Sequence, residues 1–193
     1  MLANKELLKS SFDKGLDYDR FVALGEPQGH RPPWDDRYSL LELTSEQDAL
    51  VKSFTREMNV LCLTGTWCGD CALQGSAMVR IAQANPEKIH LRYVLRCDEF
   101  ADLVVKAQIN AGFRVPITWF MAEDFETVAV IGDRTLSRYR SIAASQLAPG
   151  GVLITAPKPE NPVREVLAEV LDEFERCQLI LRTSARLRQK HGD

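Results

Sequence analysis

The sequence predicts one α/β domain with helical additions at both ends, and three observations carry that reading. At 193 residues the chain is close to one domain, since about 150 residues per domain is the ordinary measure. Its 45% hydrophobic and 26% charged residues suit a globular protein with a sizeable core and exclude disordered and collagen-like classes. From residue 44 onward, apolar runs of strand length alternate with segments of helical period in the order β-α-β-α-β-β-α, with one helix in front.

Residues 1–44 form a helical extension in this reading. Leu2, Leu7, Leu8 and Phe12 fit a rough helical stripe, and Asp17 is placed to cap a turn through Tyr18, Phe21 and Val22. The Pro/Gly-rich stretch Gly25 to Pro33 is expected to break any regular element. Residues 45–147 form the core. Thr44 to Asp48 carries helix-start residues, with Leu50, Val51, Phe54 and Met58 continuing at helical spacing. Val60–Thr64 reads as a buried strand, and a helix starts at Cys68 and runs to Asn85, closed by Pro86. Ile89 to Leu95 is a second strand, Phe100 to Ile109 a helix, Ile117 to Met121 and Thr127 to Ile131 paired strands, and Leu136 to Leu147 a further helix.

Residues 148–193 are read as a connector and a long helix. Pro149-Gly150-Gly151 ends the core, and Pro157 to Pro162 is a stiff linker. Val163, Val166, Leu167, Val170, Leu171, Phe174, Cys177 and Leu181 then recur at three and four, a stripe for a helix of up to about 26 residues. The stripe serves either docking onto the core or a dimer seam.

Charge and apolar runs narrow the function classes. Lys+Arg 24 against Asp+Glu 27 leaves −3, so no bulk positive field exists to hold nucleic acid or an anionic membrane. The longest apolar runs, such as Val128 to Ile131, are strand-sized, far from the roughly 18 residues of a membrane span. Charges at Lys5, Glu6 and Lys9 come too early for a secretory signal, so a cytoplasmic address is expected. Five cysteines, an odd number, do not resemble a secreted disulfide framework, and the close pair Cys68 and Cys71 points to redox or metal chemistry.

The motif Trp67-Cys68-Gly69-Asp70-Cys71 sits at a strand-to-helix junction. A Cys-x-x-Cys spacing alone arises by chance in about one such chain in ten; the preceding Trp, the strand before and the helix after make it specific. Two intervening residues put Cys68 on the helix N-terminus, where unpaired N–H groups and the macrodipole favour an anion, and Cys71 one turn deeper within disulfide reach. Asp70 opposes the Cys68 thiolate by roughly 0.7–1.4 kcal/mol at about 6 Å, which favours the disulfide form and a reducing couple. No second cysteine pair and no His-x3–5-His accompany the motif, so no zinc spacing is present.

On this motif, and on Phe113 to Phe120 with Pro116 leading a strand, the sequence resembles the thioredoxin superfamily. The likeness covers roughly residues 45–147 plus a terminal helix. The Gly69-Asp70 pair, the leading helices and Gly132-Asp133-Arg134 look most like a bacterial thioredoxin-like group. The resemblance implies a thioredoxin fold, a central mixed sheet flanked by helices, and a thiol–disulfide oxidoreductase that reduces protein disulfides. Cys68 is then the nucleophile and Cys71 the resolving thiol, while Trp67, Gly69, Asp70, Val115 and Pro116, the last in a cis bond, frame the substrate groove. No bound cofactor is implied; electrons come from an external donor such as a flavin-dependent reductase or glutathione. The competing class is a binding module on the same fold with idle or regulatory cysteines.

Two positions depart from the family. Many thioredoxins carry a buried aspartate six residues before the first cysteine, where this chain has Cys62, so another group must take the proton of Cys71. The family's kinking proline in the following helix is replaced by Ser76 after Gly75, a step that can supply a bend. Cys62 and Cys177 read as core, Cys97 as structural or incidental, and His30, His90 and His191 as outside any ligand set. Arg182, Arg186, Arg188 and Lys190 read as a solvated basic helix end.

Overall fold

The computed structural model describes residues 3–147 and 160–193. Leu2 and most of the proline-rich linker, residues 148–159, lie outside the described residues.

The extension holds more helix than its composition suggests. Helix α1 (Lys5–Lys14) is capped by Asn4 and α2 (Tyr18–Ala23) by the Asp17 carboxylate, which accepts from the Arg20 N–H. The Gly25–Pro33 stretch does not break the chain: it makes a 3-10 turn (Glu26–Gln28) and starts helix α3 (Arg31–Leu40) with proline in its first turn. First-turn N–H groups have no intrahelical acceptor, so Pro32 and Pro33 cost little there. The helix forms because it delivers Trp34, fully buried, to the core.

Helix α4 (Ser45–Lys52) begins with the capping box of Thr44 and Gln47. It stops well short of Met58, because Asn85 Nδ2 donates to the carbonyls of Val51 and Phe54 and so takes over acceptors the helix leaves open. Met58 opens strand β1 (Met58–Thr64) instead. Helix α5 (Gly69–Ala84), β2 (Ile89–Leu95), a 3-10 turn at Asp98–Phe100, α6 (Ala101–Lys106), β3 (Ile117–Ala122), β4 (Thr127–Ile131) and α7 (Leu136–Gln146) follow. Helix α6 ends before the expected Ile109, since Asn110 and Ala111 turn left-handed and Ile109 bridges to Gly112.

The sheet order is β2-β1-β3-β4, with β1 parallel to β2 and antiparallel to β3. All seven residues of β1 are buried, as a central strand covered on both faces requires. Met58, Val60 and Cys62 face one core with α5 and the C-terminal helix; Leu61 and Leu63 face the other with Leu8 of α1 and Leu103 of α6.

The C-terminal stripe is spent on the chain's own core. Helix α8 (Pro162–Thr183) buries Val166, Leu167, Val170, Leu171, Phe174, Cys177 and Leu181, and Phe174 packs edge-on against Phe120. The helix breaks at Ser184, and α9 (Ala185–His191) turns back over the β3–β4 hairpin. There Arg186 pairs with Asp124, and Lys190 and His191 with Glu123. Arg182, Arg186, Arg188 and Lys190 stay exposed, so the basic end is a solvated terminus that also clasps the hairpin. No helix among the described residues is long and apolar enough to cross a membrane.

Candidate active site

Strand β1 delivers the chain to a tight turn, Gly65-Thr66-Trp67, and Cys68 follows as the N-cap of α5 with extended backbone angles. The Cys68 N–H donates to the Gly65 carbonyl at 3.2 Å, and the Cys71 N–H points at Cys68 Sγ at 3.4 Å. Cys68 is partly exposed and Cys71 fully buried. The Val115–Pro116 bond is cis, and it lays the Val115 carbonyl 3.8 Å from Cys68 Sγ.

The extension grips this turn from behind. Trp34 Nε1 donates to the Thr66 carbonyl at 2.8 Å, and His30 Nδ1 bonds Thr66 Oγ1 at 3.0 Å. The Trp34 ring lies where a Cβ on Gly75 would stand, 2.5 Å from its Cζ3, so α5 needs glycine there. Ser76 Oγ sits 2.9 Å from the Tyr18 hydroxyl, and Tyr93 donates its hydroxyl proton to the Gly75 carbonyl at 2.7 Å. The Gly75-Ser76 step is thus a docking notch for the extension.

The two thiols are driven apart. A hydrogen bond from the Cys71 thiol pulls Cys68 down from 9.0 to about 6, aided by the Cys71 and Asp70 N–H groups and opposed by burial and the Asp70 charge. Burial and the neighbouring Cys68 push Cys71 far up. A thiol ionised at neutral pH therefore sits over a protonated one.

As expected, the Asp70 charge opposes the Cys68 thiolate, but Asp70 is not bare. Its carboxylate accepts from Arg134 Nε at 2.6 Å and Arg138 Nε at 2.8 Å. Two guanidiniums on one carboxylate weaken its field at the sulfur, and the Cys71 thiol with the helix-end N–H groups outweighs what remains. Asp70 itself is buried. Asp133, also buried, pairs with Arg114 and Arg134, each at 3.1 Å, and accepts from the Tyr139 hydroxyl.

Trp67 and Gly69 are exposed, Val115 is half-buried and Pro116 buried, so the motif and the proline strand meet at one surface. Sequence reading missed the arginines, because Arg96, Arg114 and Arg138 lie on segments that only the fold brings to Cys68. Arg134 was visible beside Asp133 but without a role. The Arg96 guanidinium lies 5.3 Å from the Trp67 ring centroid and donates to the Phe113 carbonyl.

The position six before Cys68 holds Cys62 rather than a carboxylate. Cys62 stands opposite Thr118 in the β1–β3 register, and burial pushes its thiol up to about 12. Thr64 Oγ1 is buried without a hydrogen-bond partner, while its hydroxyl neighbours both Cys62 and Cys71. Cys177 lies in the core and Cys97 is exposed. No group of three or more His, Cys, Asp or Glu placed to hold a metal occurs among the described residues. A cavity of about 410 Å³ beside the site shares Gln74 and Arg134 with this region but is lined by neither motif cysteine.

A family model described as thioredoxin matches residues 15–142. A crystal structure of a protein of unknown function from Pseudomonas aeruginosa is similar with a TM-score of 0.59 and 20% identity, covering 90% of this chain and 99% of that one. An HIV epitope-scaffold is similar with a TM-score of 0.58 and 21% identity, covering 89% and 98%. At those identities the likeness is one of fold. No curated protein sequence matches the chain.

Proposed function

The chain belongs to the thioredoxin family, and from that premise we propose that it is a thiol–disulfide oxidoreductase that reduces protein disulfides through Cys68 and Cys71. One observation carries the reading: a partly exposed Cys68 thiol brought down to about 6, one helical turn above a buried thiol held protonated. Cys68 attacks a substrate disulfide, forming one S–S bond as another breaks and releasing one substrate thiolate. Cys71 then gives up its proton and attacks the Cys68 sulfur. The second substrate thiolate leaves and takes a proton, and Cys68–Cys71 is left oxidised by two electrons.

Trp67, Gly69, Val115 and Pro116 frame the groove in this reading, with the Val115 backbone available to an extended substrate segment. Asp70 acts through its arginines on the thiolate. The residues need no bound cofactor for the exchange; a flavin-dependent reductase or glutathione returns the electrons. The address proposed is the cytoplasm.

Equilibration against graded dithiol/disulfide buffers, read by alkylation with Cys68→Ser as control, tests the proposal. A reversible two-electron couple below about −220 mV supports a reductase, and one above about −180 mV makes the protein an oxidase or isomerase. Cys62 in place of the family's buried carboxylate favours a second reading, an adaptor with idle cysteines, and absence of any reversible couple selects it.

A further inference from the structure

Part-exposed guanidiniums stand about the Cys68 loop in a chain of net charge −3. Arg114, Arg134 and Arg138 converge on Asp70 and Asp133, and their side chains are 42%, 27% and 33% exposed against 10% and 4% for the two carboxylates. The negative charges lie at the bottom and the guanidiniums at the surface. Three guanidiniums share those two carboxylates, while Glu169, Asp172 and Glu173 lie farther along the cavity that Arg134 lines. Arg96, which makes no ion pair among the described residues, adds an unshared guanidinium beside Trp67.

Arg96 also ties together the two loops that flank Cys68. Its guanidinium covers Trp67 and holds the Phe113 carbonyl, two residues before the Val115 carbonyl at 3.8 Å from Cys68 Sγ. Trp67 and Phe113 are 47% and 50% exposed. The rim therefore offers two half-exposed aromatic rings, a backbone stretch at Val115 and the part-exposed guanidiniums of Arg96 and Arg114, a combination that fits planar carboxylates flanking an apolar contact.

We propose that this rim selects acidic partners: the occupant is an extended protein segment whose disulfide cysteine is flanked by Asp or Glu, with an apolar side chain on Trp67 or Phe113. The inference rests on the oxidoreductase reading for the purpose of docking, while its test does not. A bulk search for basic or acidic partners would miss it, because the acidic total of the chain predicts the opposite preference.

The experiment measures binding to the full-length protein of labelled peptides identical except for Glu, Gln or Lys beside the reactive position, with Ser in place of Cys so that no exchange occurs. The Glu peptide is expected to bind about tenfold tighter than the Lys twin at low salt, with the gap closing in 0.5 M salt. Arg96→Gln and Arg114→Gln each narrow that ratio about threefold, and Arg96→Lys restores part of it. Equal binding of the three peptides, or preference for Lys, overturns the proposal. So does binding of glutathione disulfide, an acidic disulfide without an extended segment, as tightly as the Glu peptide. Reduction of neutral hydroxyethyl disulfide is measured separately: its failure sinks the oxidoreductase reading, and the peptide preference still decides this one.

Discussion

Replacing Cys71 by Ala and, in parallel, by Ser isolates what holds the Cys68 thiolate. The Cys71 thiol hydrogen bond is the largest cause of the fall of Cys68 from 9.0 to about 6. A hydrogen bond to a charged group contributes about 1.5–3 kcal/mol, and about 1.4 kcal/mol corresponds to one pH unit. Cys71→Ala therefore moves the Cys68 midpoint up by about one to two pH units, whereas Cys71→Ser keeps a donor and stays close to the wild type. At pH 7 the thiolate fraction falls from about nine-tenths to between one-tenth and one-half in the Ala variant. Absorbance at 240 nm through a pH titration reads it, checked by iodoacetamide alkylation rates. Coincident midpoints for Ala and Ser would refute the reasoning and assign the effect to the backbone N–H groups of the helix end.

The same depression sets a pH dependence of stability. A thiol whose folded value lies near 6 and whose ordinary value is 9.0 gives stability that is complete above pH 9 and lost as pH falls through 6; reduced wild type should gain on Cys68→Ser in denaturant melts across that window, and a flat difference contradicts it. Arg134→Gln with Arg138→Gln unmasks Asp70 and should raise the Cys68 midpoint by about 0.5–1 pH unit, while adding Asp70→Asn reverses it; no movement in the double variant denies the clamp. Thr64→Val removes the hydroxyl beside Cys71, so resolution slows about three- to tenfold and the mixed disulfide accumulates in quenched-flow mass spectrometry, unless Thr64 has no part in the proton transfer. Trp34→Ala should cost about 3–5 kcal/mol in urea unfolding, and Trp34→Phe about 1 kcal/mol through the lost bond to Thr66; equal costs would mean the indole N–H carries the anchor.

Much of the fold is legible in local pattern. The β2 run Ile89 to Leu95 and the β4 run Thr127 to Ile131 match the observed strands, and the Thr44–Gln47 capping box and the Asp17 cap are where side-chain chemistry places them. These features need only near neighbours in the chain. Helix ends were less legible: α4 stops because Asn85, 34 residues away from Val51, takes its carbonyl. Helix α3 was invisible because two prolines argue against a helix until a buried Trp34 supplies the reason for one.

The site divides along the same line. By itself the sequence placed the Cys68–Cys71 pair at a helix N-terminus and the proline strand after it, since Cys-x-x-Cys on a helix N-terminus is local geometry with a chemical consequence. The arginines required the tertiary structure: Arg134 and Arg138 stand 64 and 68 residues from Asp70, and no period or spacing announces them. An isolated reading of Asp70 took a bare carboxylate near a sulfur, which gives the right sign for its own charge but leaves out the two guanidiniums that pair with it. Coulomb energy depends on every charge within a few ångströms, and only the folded chain decides which charges those are.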